Sequence, residues 1–153
     1  MKVMIVEMPE LRVAALRHRG AYNRIGGAFT KLGPIAGPAG LFGPTSTMIA
    51  VYHDDPRTTP EAELRSAAGC TVASGVVVPD GLVEVRVPAG RYAMARHVGS
   101  YATLPETWAR LTRDWFPTSG HRRGAGVSYE LYDHPDNKGP DELITDVYVP
   151  VAD

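Results

Sequence analysis

Apolar and polar positions alternate over residues 3–7 and 11–18, in segments rich in strand formers, and predict two strands. Pro9 lies between them and cannot donate to a ladder, so a bend or bulge is expected there. From Tyr22 the period changes. Ile25, Phe29 and Leu32 fall on one helical stripe, and the helix is expected to stop near Gly33-Pro34. A Gly/Pro loop with apolar insertions fills 33–44, and a strand returns over 46–53. Asp54-Asp55-Pro56-Arg57 has turn composition, and a further strand falls between Glu61 and Ala73. The second half runs the same course. Strands at 82–87 and 92–98 flank Pro88-Ala89-Gly90, and Leu104, Trp108, Leu111 and Trp115 make the helical stripe. Thr103, three residues before Glu106, has capping-box form, and Phe116-Pro117 marks the expected stop. Strands at 127–133 and 142–151 complete the pattern.

This likeness between halves extends to residue identity. Arg17-His18-Arg19-Gly20-Ala21-Tyr22 matches Arg96-His97-Val98-Gly99-Ser100-Tyr101, 79 positions later. The same spacing, without a gap, pairs Phe29 with Trp108, Leu32 with Leu111, Asp54 with Asp133, Pro56 with Pro135 and Glu63 with Glu142. It predicts repeats at about 1–76 and 80–153, joined through Pro79-Asp80-Gly81 and sharing one domain over 1–153 with pseudo-twofold symmetry. Two copies are too few for a solenoid. With one helix per half covering one face of a mostly antiparallel sheet, the class is α+β.

Composition narrows the function classes. A net charge of −1 without clustered Lys and Arg gives no footprint for nucleic acid. Cys70 is the single cysteine, so internal disulfides and cysteine-based zinc sites are excluded. The N-terminal apolar run is short and Glu7 follows at once, which argues against a leader or membrane span and for a cytoplasmic protein. No metal-ligand spacing, phosphate-binding loop or serine nucleophile motif is found, and no metal or cofactor is expected.

The candidate chemistry centres on Glu130. In an extended strand Gly126, Ser128, Glu130 and Tyr132 point one way, and Val127, Tyr129 and Leu131 the other, toward a core. Small neighbours beside a carboxylate leave room for a ligand. A solvent-facing strand glutamate is the plain alternative. At the repeat spacing Glu130 matches Val51, so the scaffold does without a charge at the twin position. Tyr101, Trp108, Tyr132 and Tyr148 supply aromatic faces that suit cations and planar ligands. Trp108 can equally be the core counterpart of Phe29, whereas Tyr148 replaces Gly69 and is a gain of the second half. His18 and His97 recur at equal positions and read as structural. Cys70 reads as a small buried hydrophobe.

The run Tyr129-Glu130-Leu131-Tyr132-Asp133-His134-Pro135, followed by 140–151, resembles the C-terminal signature of GyrI-like domains, the effector-binding domains of AraC- and MerR-type regulators. The resemblance implies a curved antiparallel sheet with two helices and a ligand groove between repeats. It places an acidic residue, Glu130, in that groove to pair with lipophilic cations. It makes Trp108 and Tyr148 aromatic lining positions, with Tyr101 as a neighbour. The repeat leaves no stretch for a helix-turn-helix module, so a stand-alone member is expected. Such members are linked with three roles. The first is binding of lipophilic, cationic or polyaromatic xenobiotics. The second is hydrolysis of cyclopropane-bearing genotoxins, with Glu130 as general base. The third, ranked last, is inhibition of DNA gyrase. A hydrophobic small-molecule partner is expected, with no direct nucleic acid or membrane contact, on a monomer or weak dimer.

Overall fold

The computed structural model describes residues 1–132 and 139–152. Asp133, His134 and Pro135 lie outside the described residues, and so do their matches to the first half. The strands are β1 (Val3–Met8), β2 (Leu11–Arg19), β3 (Met48–Tyr52), β4 (Arg65–Thr71), β5 (Val83–Val87), β6 (Gly90–Val98), β7 (Arg122–Arg123), β8 (Ser128–Tyr132) and β9 (Ile144–Ala152). Helix α1 spans Gly26–Ala36. Helix α2 (Leu104–Ala109) runs through a π-helical turn at Arg110–Trp115 into α3 (Phe116–Ser119).

All strand pairs are antiparallel, in the order β1-β6-β9-β8-β3-β4-β2-β5, with β7 on β9. The sheet is therefore continuous, and the halves meet where β3 pairs β8. The first strand of each half crosses over. β1 pairs β6 of the second half, and β5 pairs β2 of the first.

One face of the sheet carries Val13, Ile49, Val51, Tyr129 and Tyr148, packed with side chains from β1, β5 and β6. No helix contributes to this cluster, yet Val13 and Tyr129 are fully buried. The sheet must curl over that face so that its own strands exclude water. The helices lie on the opposite face, at its two ends. Leu32 and Ala36 of α1 pack on Ala14 and Cys70, while Leu104, Leu111 and Phe116 pack on Ala93, Ala95, Val147 and Val149. Small side chains on this face let the helices approach closely. The central strands β3 and β8 are left between them.

Three local expectations change. Helix α1 runs past Gly33-Pro34 to Ala36. Proline disfavours helix before it mainly by clashing with the preceding Cβ, and Gly33 has none. Likewise the second helical stretch continues past Pro117. The π-helical turn shifts the hydrogen-bond ladder there, so Pro117 sits at the start of α3, where an absent N–H is tolerated. Gly120, at φ 80°, then ends the helix. Thr103 makes no side-chain cap; Ser100 accepts the amide of Ala102 instead, and the Thr103 hydroxyl donates to the Ser100 carbonyl.

The gap-free repeat is also corrected. In β2/β6 and β4/β9 the 79-residue spacing holds, because Val13 and Tyr92 share one face, and Ala68 and Val147 the other. In β3/β8 it fails. Val51 faces the sheet-only core beside Tyr129, whereas Glu130 lies in register with Ala50 and faces the helices. Side chains alternate along a strand, so a spacing that matches opposite faces is off by an odd number of residues. The spacing of 80 makes Ala50 the twin of Glu130 and Tyr52 the twin of Tyr132. Since Ala50 and Glu130 are also cross-strand partners, the pseudo-twofold axis passes through that pair.

Candidate functional site

The floor of the gap between the helices is built by the even positions of β3 and β8, whose odd positions are held in the opposite core. Met48, Tyr52, Ser128, Glu130 and Tyr132 line a groove of about 870 Å³, with Ile25 and Phe29 of the α1 side on one wall and Leu104 and Trp108 of α2 on the other. Gly126 takes φ 110° just before β8 and does not line it.

Glu130 is 2% exposed. Tyr52 donates its hydroxyl to Oε1 at 2.6 Å, Tyr132 donates to the same oxygen at 2.5 Å, and the Trp108 indole N–H donates to Oε2 at 2.5 Å. A carboxylate offers about four acceptor positions. Three are filled, leaving one on Oε2. Neutral donors solvate the charge but do not neutralise it, and no Arg, Lys or His pairs with Glu130 among the described residues. Burial, and then the neighbouring Glu130 charge, hold both the Tyr52 and Tyr132 phenols well above their ordinary value, so they remain donors. The aromatic walls lock one another edge to face. Tyr52 meets Trp108 at 5.6 Å, Phe29 meets Tyr132 at 5.6 Å, and Tyr101 meets Tyr132 at 5.8 Å.

Of the residues read from sequence, the structure brings Glu130, Trp108, Tyr132 and Tyr101 together at one groove. Tyr148 is not among them. It pairs with Tyr129 across β8/β9 and stacks on it at 4.6 Å in the sheet-only core, because its odd-face register points it away from Glu130. The first half contributes to the groove as well. Tyr22, Phe29 and Tyr52 line the groove as twins of Tyr101, Trp108 and Tyr132. Reading β3 and β8 at the even spacing would have found Tyr52 from sequence. The histidines behave as structural twins. His18 contacts the Ala21 carbonyl, and His97 the Ser100 carbonyl and the Thr107 hydroxyl. Cys70 is buried, which pushes its thiol up.

Where β3 leaves the sheet the groove turns polar. Asp54 accepts the Arg65 amide and guanidinium, while Arg57 holds Asp55 through Nη2 at 2.8 Å. These partners hold both carboxyls below the usual range. Arg123 also lines this end, a residue no sequence pattern singles out. Among the described residues no group of three His, Cys, Asp or Glu could hold a metal ion. Among the same residues no helix is long and apolar enough to cross a membrane.

The family model for the GyrI-like small molecule binding domain matches residues 1–152. A probable transcriptional regulator, YgiV of Escherichia coli K12, is 32% identical over 98% of this chain and 96% of its own. A DNA gyrase inhibitor of Yersinia enterocolitica is 30% identical over 86% of each. Among solved structures, SAV2435 bound to tetraphenylphosphonium superposes with a TM-score of 0.75 over 99% of this chain and 94% of that one, at 11% identity, which is a likeness of fold. The chain belongs to the GyrI-like small-molecule-binding family.

Proposed function

We propose that this GyrI-like chain binds lipophilic aromatic small molecules that carry a positive charge, and that Glu130 selects the charge. One observation carries the reading: a carboxylate 2% exposed, walled by aromatic rings, has hydrogen-bond donors but no cationic partner among the described residues. A buried charge of that kind gains most from a ligand that brings the counter-charge with its own apolar surface. A cation without N–H groups needs no free acceptor position, so the donors can stay in place. The likeness to SAV2435, whose structure holds tetraphenylphosphonium, supports the same chemistry. For a hydrolytic role, Tyr52, Tyr132 and Trp108 already donate to the carboxylate and are not free to steady a developing oxyanion, which favours the binding reading.

Calorimetric titration with tetraphenylphosphonium tests this. Glu130→Gln keeps the shape and removes the charge. It is expected to weaken binding about tenfold, the scale of one charge-assisted contact in a partly dry site. Equal affinity in both proteins would refute the assignment.

A further inference from the structure

The groove holds a half-buried cation that the reading above leaves unused. Arg123 sits on β7, fixed by its pairing with Val151 and by the bond from the Gly124 amide to the Pro150 carbonyl. Its side chain is 23% exposed and lines the groove at the end where β3 leaves the sheet. Among the described residues its one ion pair is with Asp55 at 3.6 Å, too long for a hydrogen bond. That carboxylate is already taken. Arg57 donates to it through its backbone amide at 2.9 Å, through Nε at 3.2 Å and through Nη2 at 2.8 Å. Asp54 cannot help, since Arg65 occupies it. The rim triad is thus two guanidiniums sharing one carboxylate; both line the groove, and the one left over, Arg123, is the more buried of the two. Burial already weighs against its charge, with Asp55 offsetting this in part and Arg57 adding to it.

We infer that Arg123 is a specificity residue, and that the preferred ligand is amphoteric: an aromatic cation bearing an acidic group, such as a carboxylate or sulfonate, that reaches the Arg123 end of the groove. The inference rests on the cation-binding reading above. A planar guanidinium with unused N–H groups recognises such an anion by paired hydrogen bonds. In the bound state each buried charge then meets its opposite on one molecule. Arg123 supplies discrimination between ligands of similar size and hydrophobicity, which an apolar wall does poorly.

The test uses two forms of one probe, carboxybutyl triphenylphosphonium and its methyl ester, titrated into wild type, Arg123→Met, Arg123→Lys and Glu130→Gln. Wild type is expected to bind the acid roughly three- to tenfold more tightly than the ester, the range of a partly exposed charged contact. Arg123→Met should abolish that preference, and a circular dichroism melt matching that of wild type shows that the variant folds. Arg123→Lys should keep part of the preference. Equal binding of acid and ester by wild type, or a preference that survives Arg123→Met, would overturn the inference while leaving the cation-binding reading in place. Failure of both forms to bind, or an ester affinity unchanged in Glu130→Gln, would overturn that underlying reading and this inference with it.

Discussion

At the scale of single residues, the groove depends on how a buried charge is kept without a counter-ion. Glu130 is solvated by two phenols and an indole, and the arrangement works in both directions. The carboxylate is stabilised, and its charge in turn disfavours phenolate formation at Tyr52 and Tyr132. Burial is the larger cause and Glu130 the second. A phenol whose folded pKa is raised contributes stability that is complete below the unfolded value of about 10 and is lost as pH rises through the folded value. Tyrosine-resolved NMR across alkaline pH should therefore find these two rings neutral after exposed tyrosines have ionised. In Glu130→Gln their ionisation should begin at lower pH. If both rings titrate together with the exposed tyrosines, the description of this cluster is wrong.

Among the elements, strand exchange explains both what the sequence reveals and what it hides. The recurrence of His18 and His97, and of Phe29 and Trp108, shows the two halves, and the apolar alternation in β8 assigns its faces correctly. Glu130 is legible as a groove residue because Tyr129 and Leu131 so plainly belong to a core. Tyr148 is misread because its aromatic character fits either face, and only the register with Tyr129 decides. Ala50 is missed as the true twin because a single spacing ignores the odd-to-even change that side-chain alternation forces at β3/β8. The crossing of β1 onto β6 leaves no mark in a repeat, since pairing partners are not periodic. It has a consequence for stability. Deleting residues 1–9 should uncover β6 and remove Val3 and Ile5 from the cluster beneath α2. Hydrogen exchange should then show β6 and α2 losing protection before β3 and β4. Equal loss in both halves, or none, would mean that the exchanged strand does not bind the halves together.

For the whole molecule, the dyad organises function. Tyr22 and Tyr101, Phe29 and Trp108, and Tyr52 and Tyr132 form a nearly symmetric aromatic trough, and symmetry is broken on the axis by Glu130 opposite Ala50. A symmetric trough with one central charge discriminates little by outline and strongly by charge, which suits a binder of varied aromatic cations. The near-neutral net charge of −1 provides no long-range attraction for such ligands, so the selection has to be made inside the groove. The most direct measurement is the preference for a cation over a neutral molecule of like shape: methyltriphenylphosphonium against triphenylphosphine oxide, titrated into wild type and Glu130→Gln. The account requires wild type to favour the cation by about tenfold or more, and requires that preference to vanish in Glu130→Gln while the neutral compound binds both proteins alike. A cation preference of the same size in both proteins would contradict it.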